Sequence, residues 1–156
     1  MSRIKEGIFF YFFLKNEEIG IGQVINIDKL KGVTIVVFDK IFKNANDIDV
    51  NDLSESNIIL CLNTTIAFFK LKRFIPLGIT GKSFNIFMDK EFKIEDENGF
   101  FLVNEEGVFL RRIKNEESSK YMYINSVSGA VIVNTANTYF GLIDKEDYYT
   151  SKLLKW

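Results

Sequence analysis

The chain contains no histidine and a single cysteine, Cys61, so the chemistry open to its side chains is narrow. Without histidine there is no Ser-His-Asp or Cys-His nucleophile system, no imidazole acid or base, and little basis for a zinc site. One cysteine excludes an intramolecular disulfide and a thiolate metal cluster. Cys61 lies in the apolar run Asn57-Ile-Ile-Leu-Cys-Leu62, which predicts a buried, inert thiol. A catalytic centre would have to rest on carboxylates, lysine, tyrosine or serine. The 21 acidic residues offer many carboxylate pairs, and none stands out by spacing. The inventory predicts a binding protein rather than an enzyme, with no metal and no organic cofactor.

Two motifs resemble sites without completing them. Gly78-Ile-Thr-Gly81-Lys82-Ser83 ends like a phosphate-binding loop, but the first glycine of that loop would fall at Pro76. Phosphate also needs a helix N-terminus directly afterwards, whereas Phe84-Asn-Ile-Phe-Met88 reads as a strand. Phe68-Phe-Lys-Leu-Lys-Arg-Phe74 interleaves basic and aromatic residues in the manner of a nucleic-acid strand. On a strand Lys70 and Lys72 would share a solvated face, with Phe69 and Leu71 turned the other way. That is a half-buried strand, lacking the glycines of the RNA-recognition signature.

One acidic pattern has geometry behind it. In an antiparallel meander successive turns leave alternate ends of the sheet, so the turns near 95–99 and 115–118 should emerge together. They carry Glu95, Asp96, Glu97, Glu116 and Glu117. Such a rim would imitate phosphate charge and speed capture of a basic partner; hairpin tips are also ordinarily polar and solvated. A second acidic stretch holds Asp39, Asp47, Asp49, Asp52 and Glu55.

The elements that must position these groups come from one domain, residues 1–156. Its 47% hydrophobic content is that of a globular protein with one real core. The net charge of −1 supplies no global field toward nucleic acid or anionic membranes. The apolar run Ile8–Leu14 ends in Lys15-Asn16-Glu17-Glu18 with no small-residue cleavage site. No stretch reaches the roughly 18 apolar residues of a membrane span. A cytoplasmic protein of undetermined oligomeric state is expected.

Strand signals dominate. Residues 8–14 are apolar on both faces, and residues 18–27 alternate, with Ile19, Ile21, Ile25 and Ile27 opposite Gly20, Gly22, Val24 and Asn26. Two glycines so close predict a bend or a close approach. Further strands are predicted at 33–38, 58–70, 73–79 and 84–88, with Pro76 at an edge or bulge. The Asp- and Asn-rich segment 39–57 breaks the pattern and leaves room for a short helix near 50–56. Glu97-Asn98-Gly99 between Phe92–Asp96 and Phe100–Val103 is a hairpin signal. Turns at 104–107 and 115–118 and strands at 108–114, 120–125 and 130–133 complete the pattern. Asp144 is placed to cap a final helix that aligns Tyr149, Leu153 and Trp156. The predicted fold is mainly β, an antiparallel meander forming a sandwich or partly open barrel, with a short C-terminal helix.

Several short motifs occur in an order that resembles the immunity protein 26 family of bacterial polymorphic toxin systems. They are Lys5-Glu6-Gly7-Ile8-Phe9, Gly20-Ile-Gly-Gln-Val-Ile25, Val36-Val-Phe-Asp39, the strand Asn57–Leu62, Phe68–Gly78 and Phe92-Lys-Ile-Glu-Asp-Glu-Asn-Gly-Phe100. The resemblance covers roughly residues 5–110. Ile8 stands where the family often has an acidic residue, and Phe74 where it often has tryptophan. The resemblance implies a β-rich protein that binds and neutralises a cognate toxin domain, a nuclease being expected, and that acts in contact-dependent growth inhibition. It supplies no binding residues, so the toxin-binding candidates are Glu95, Asp96, Glu97, Glu116, Glu117, Asp47, Asp49 and Asp52. The alternative is a non-catalytic β-barrel module for a ligand or nucleic acid, using the face of Lys70 and Lys72.

Overall fold

In the computed structural model, which describes residues 4–28, 32–82, 91–104 and 106–154, the fold is mainly β and rests on two sheets. The first sheet has five antiparallel strands in the order β4-β3-β2-β1-β5. They are β1 (Ile8–Phe13), β2 (Ile19–Asp28), β3 (Gly32–Phe42), β4 (Ile58–Thr64) and β5 (Ile75–Thr80). Phe10 of β1 pairs with Gly22 of β2, and Phe12 pairs with Gly20. Paired residues point to the same side, so each phenyl ring occupies the space its glycine leaves empty. A Cβ on Gly22 would stand 2.5 Å from the Phe10 ring and 2.6 Å from the Val36 carbonyl oxygen; one on Gly20 would stand 2.6 Å from the Phe12 ring. The expected close approach is therefore present, and the β2–β3 register shifts at the same place. Pro76 sits on the edge strand β5, where its pairing with β1 slips. An edge strand tolerates the missing N–H.

Both faces of this sheet are covered. On one, Phe10, Phe12, Val24, Ile35 and Leu62 meet Phe69, Phe74, Ile132 and Ala136. On the other, Phe9, Ile21, Val36, Phe38 and Cys61 meet Leu53 and Met122, with Phe92 and Leu154 packed alongside. Leu53 belongs to the expected irregular segment, which forms three 3-10 turns at Ala45–Asp47, Val50–Asp52 and Glu55–Asn57. The outer edge of β4 is buried as well. Leu154 donates its N–H to the Ile59 carbonyl at 2.8 Å, and Val127 donates to Asn63 at 2.8 Å.

The structure overturns three expectations from local pattern. The strand expected over 58–70 ends at Thr64, and Ala67–Lys70 form a helical turn, α1. The Thr65 hydroxyl accepts from the Ala67 N–H, and the turn drives Phe69 against Phe10 at 5.1 Å between ring centroids. Lys70 and Lys72 consequently share no strand face. The strand expected at 130–133 is the start of helix α2 (Gly129–Tyr139). Ser128 caps it by accepting from the Val131 N–H, and Gly129 lets the helix touch the Phe68 ring. The C-terminal helix α3 is a single turn, Asp147–Thr150, with Glu146 rather than Asp144 at its N-cap. The expected strand at 84–88, Ser83 and Trp156 lie outside the described residues.

The second sheet contains β6 (Phe92–Asp96), β7 (Gly99–Val103), β8 (Phe109–Ile113) and β9 (Met122–Tyr123), in the order β8-β7-β6-β9. The β6–β7 hairpin has the expected register, Asp96 opposite Gly99. The meander ends at β8, because residues 115–120 coil into a 3-10 helix that carries the chain across the sheet. Strand β9 then pairs in parallel with β6, not with β8, and is two residues long. Met122 and Tyr123 join the sheets: Met122 touches Cys61, sulfur to sulfur, at 3.4 Å, and the Asn63 amide donates to the Ile124 carbonyl at 3.2 Å. The described strands do not close into a barrel.

Replacing Gly22 by alanine should lower the unfolding free energy by about 2 kcal/mol or more, because the new methyl meets a backbone oxygen as well as a ring. Gly78 has open space around its Cβ direction and a φ of 74°, so Gly78→Ala should cost about 1 kcal/mol from backbone strain alone. Urea unfolding followed by circular dichroism ranks the two; equal losses would contradict this account of the sheet.

Candidate functional site

The two acidic turns do emerge at the same end of the second sheet. Phe100 pairs with Ile113 one step from the Asp96–Gly99 pair, so β8 delivers its following residues beside the hairpin tip. A Cβ on Gly99 would lie 3.4 Å from the Asn115 side-chain oxygen, which measures how close the turns come.

The five carboxylates at this end have different surroundings. Asp96 accepts from the Asn98 N–H at 2.9 Å, fixing the hairpin turn, and from both Arg112 guanidinium nitrogens at 2.9 and 2.6 Å. The Arg112 hydrogen bonds hold its carboxyl below the usual carboxylate range. Arg112 also lies over the Phe101 ring, 5.4 Å from its centroid. Glu95 points to the opposite face, where its negative charge acts on both Lys93 and Lys152. Glu97 and Glu116 are exposed, and Glu117 is half-buried.

Beneath these turns lies a cationic cluster that the alternation of β6 did not reveal. Lys93 is 4% exposed and donates to the Ser118 carbonyl at 2.8 Å. Its ammonium stands 4.4 Å from the Tyr123 ring centroid and 5.6 Å from that of Phe100. Lys152 approaches the Tyr123 ring at 3.7 Å and the Tyr148 ring at 4.8 Å. Burial pushes the Lys93 pKa down to about 8, repulsion from Lys152 adds to that, and Glu95 opposes it. Burial likewise lowers Lys152, again against Glu95. The signal for this cluster was the hairpin register, which sets Lys93 opposite Leu102 and so on an apolar face.

A cavity of about 280 Å³ opens between the 3-10 helix and α3. Phe100, Ser118 and Ser151 border it together with two carboxylates, Glu116 and Asp147. Carboxylates beside an aromatic ring suit a lysine or arginine side chain reaching in from outside. Asp147 was not among the sequence candidates, because nothing in the chain signals that α3 packs beside residues 115–120.

Asp47, Asp49 and Asp52 are exposed along the 3-10 turns before β4, and no described contact joins them to the acidic end of the second sheet. Asp49 accepts from the Asn51 N–H at 2.9 Å, and Asp47 from the Asn44 amide at 3.4 Å, so both also shape their own turns. Among the described residues no group of three or more cysteines and carboxylates is placed to hold a metal ion. Cys61 is buried, and burial pushes its thiol far above the ordinary value, which suppresses the nucleophilic thiolate.

Lys93 binds its proton more weakly in the folded chain, at about 8, than at the ordinary 10.5 of an unfolded one. Between those values the unfolded state carries more protons, so stability should rise with pH from about pH 8 to about pH 10.5, by at most about 1.4 kcal/mol per unit for one proton. Lys93→Met should flatten that rise in urea titrations; an unchanged slope would contradict the assignment of the shift to Lys93.

No protein-family model, no curated protein and no solved structure matches this chain.

Proposed function

We propose that this chain is a non-catalytic binding protein of the immunity type, which captures and neutralises a cognate toxin domain, a nuclease, in the cytoplasm. The observation that carries the reading is the acidic end of the second sheet. There Glu97 and Glu116 stand exposed, and the cavity lined by Glu116, Asp147 and Phe100 offers a seat for a basic side chain. A nuclease must hold phosphate and therefore presents basic groups around its active site. Exposed carboxylates would steer it, and the cavity would anchor one of its cations. The chemical inventory agrees: a chain without histidine and with its one thiol buried is better equipped to bind than to turn over substrate.

The alternative nucleic-acid or ligand module has less support. The strand face of Lys70 and Lys72 that it was to use is absent, since Lys70 lies in a helical turn. The module also needed a barrel, which the described strands do not form.

Co-purification with a candidate toxin nuclease domain, followed by stopped-flow kinetics, tests the proposal. Glu97→Lys should slow association about tenfold at low salt and leave dissociation nearly unchanged. Asp147→Asn should instead speed dissociation about tenfold, as loss of a buried charge partner does. Failure of the chain to bind a folded, active toxin domain would refute the immunity reading.

A further inference from the structure

The segment Phe68-Phe69-Lys70-Leu71-Lys72-Arg73-Phe74 builds a second surface on the other face of the first sheet. Its aromatic residues fix it from below. Phe74 packs tilted against Phe10 at 4.8 Å and edge-to-face against Phe69 at 5.3 Å and Phe68 at 5.2 Å between ring centroids. The backbone is equally constrained: the N–H groups of Arg73 and Phe74 both donate to the Phe68 carbonyl, at 2.8 and 3.0 Å, and Lys72 donates to Phe69 at 3.1 Å. A turn held this tightly must send its remaining side chains outward. Leu71 is 66% exposed, and Lys70, Lys72 and Arg73 are exposed beside it.

Leu71, Lys72 and Arg73 form one wall of a half-open groove of about 670 Å³, with Lys70 beside it. Phe13, which is 55% exposed, and Phe68 lie along it, and Ala130 and Val133 of helix α2 also line it. Lys72 and Arg73 line the same groove. Among the described residues no carboxylate forms an ion pair with Lys70, Lys72 or Arg73, whereas Arg111 and Arg112 are paired with Glu91 and Asp96. Three cations within four residues and an apolar floor thus stand open together, in a chain whose net charge is −1.

Lys72 also has a φ of 56°, in the left-handed region that disfavours any residue with a Cβ. Glycine would adopt this conformation without strain. Folding alone does not call for lysine here.

We infer that this groove docks an acidic amphipathic segment of a partner protein, its apolar side chains against Phe13, Leu71 and Val133 and its carboxylates on Lys72 and Arg73. The chemistry favours this occupant over two others. A nucleic-acid strand needs cations spaced along a backbone track, and these three are gathered in one turn. A fatty acid needs an enclosed apolar channel, and this groove is half open, which suits a helix laid along it with one face to solvent. The surface is separate from the acidic turns, takes the opposite charge, and does not depend on the immunity reading.

The test is selection of a phage-displayed library of random peptides of about 15 residues against the folded full chain. Selected peptides should combine Asp or Glu with Leu, Ile or Phe at helical spacing. In fluorescence anisotropy their affinity should fall at least about tenfold for the double variant Lys72→Glu with Arg73→Glu, and similarly for Leu71→Ser. Lys72→Gly separates binding from folding: it should weaken the peptides while leaving the thermal midpoint equal or higher. Enriched peptides without acidic residues, or equal affinity for these variants, would overturn the inference. So would an empty selection, including one in which monomeric oleate or single-stranded DNA bound the chain and lost affinity in the same variants.

Discussion

The whole structure depends on the seating of two phenyl rings over two glycines. Phe10 and Phe12 lie where Gly22 and Gly20 have no side chain, and neither position admits a Cβ. That fit locks the β1–β2 register, and a slip of one residue would turn every side chain of β1 to the other face. Phe10 then gathers Phe69 and Phe74, which accounts for a helical turn where the sequence continues to look like a strand. On the reverse face Phe9 meets Phe38, and the same sheet carries a second apolar layer. A sheet buried on both sides leaves function to its flanks.

The second sheet is such a flank, and its electrostatics are layered. Asp96 is answered by Arg112 at the surface, and Glu95 faces two lysines that share the ring of Tyr123. This balance holds the 3-10 helix and α3 against the sheet, since Lys93 grips the Ser118 carbonyl and Lys152 approaches Tyr123 from the C-terminal turn. Local compensation leaves Glu97 and Glu116 as the outward charges. The uncompensated charge at this end is therefore confined to a few exposed carboxylates on two neighbouring turns.

Elements set by local chemistry were legible in the sequence. The alternation of β2, the Asn98-Gly99 hairpin signal and the edge position of Pro76 all act through neighbours along the chain or across one turn. Elements set by distant packing were not. Val131, Ile132 and Val133 are β-branched and read as a strand, yet they lie in α2 because Ser128 caps it and Ile132 finds the Phe10 layer. The parallel β6–β9 pair was equally hidden, since two residues carry no periodicity. Of the candidate site, the meeting of the two acidic turns followed from meander logic, and the hairpin register placed Lys93 on an apolar face, whereas Lys152 and Asp147 required the position of α3. The basic and aromatic run 68–74 was visible as composition, but its exposed half emerged only once the backbone turned.

Hydrogen exchange on this chain, with and without the proposed toxin partner, tests the central claim most directly, because it locates the interface without altering a charge. The account predicts slowed exchange in the complex at the backbone amides of residues 95–99 and 114–118. A stable complex that protects other segments and leaves both turns exchanging at their free rates would contradict it.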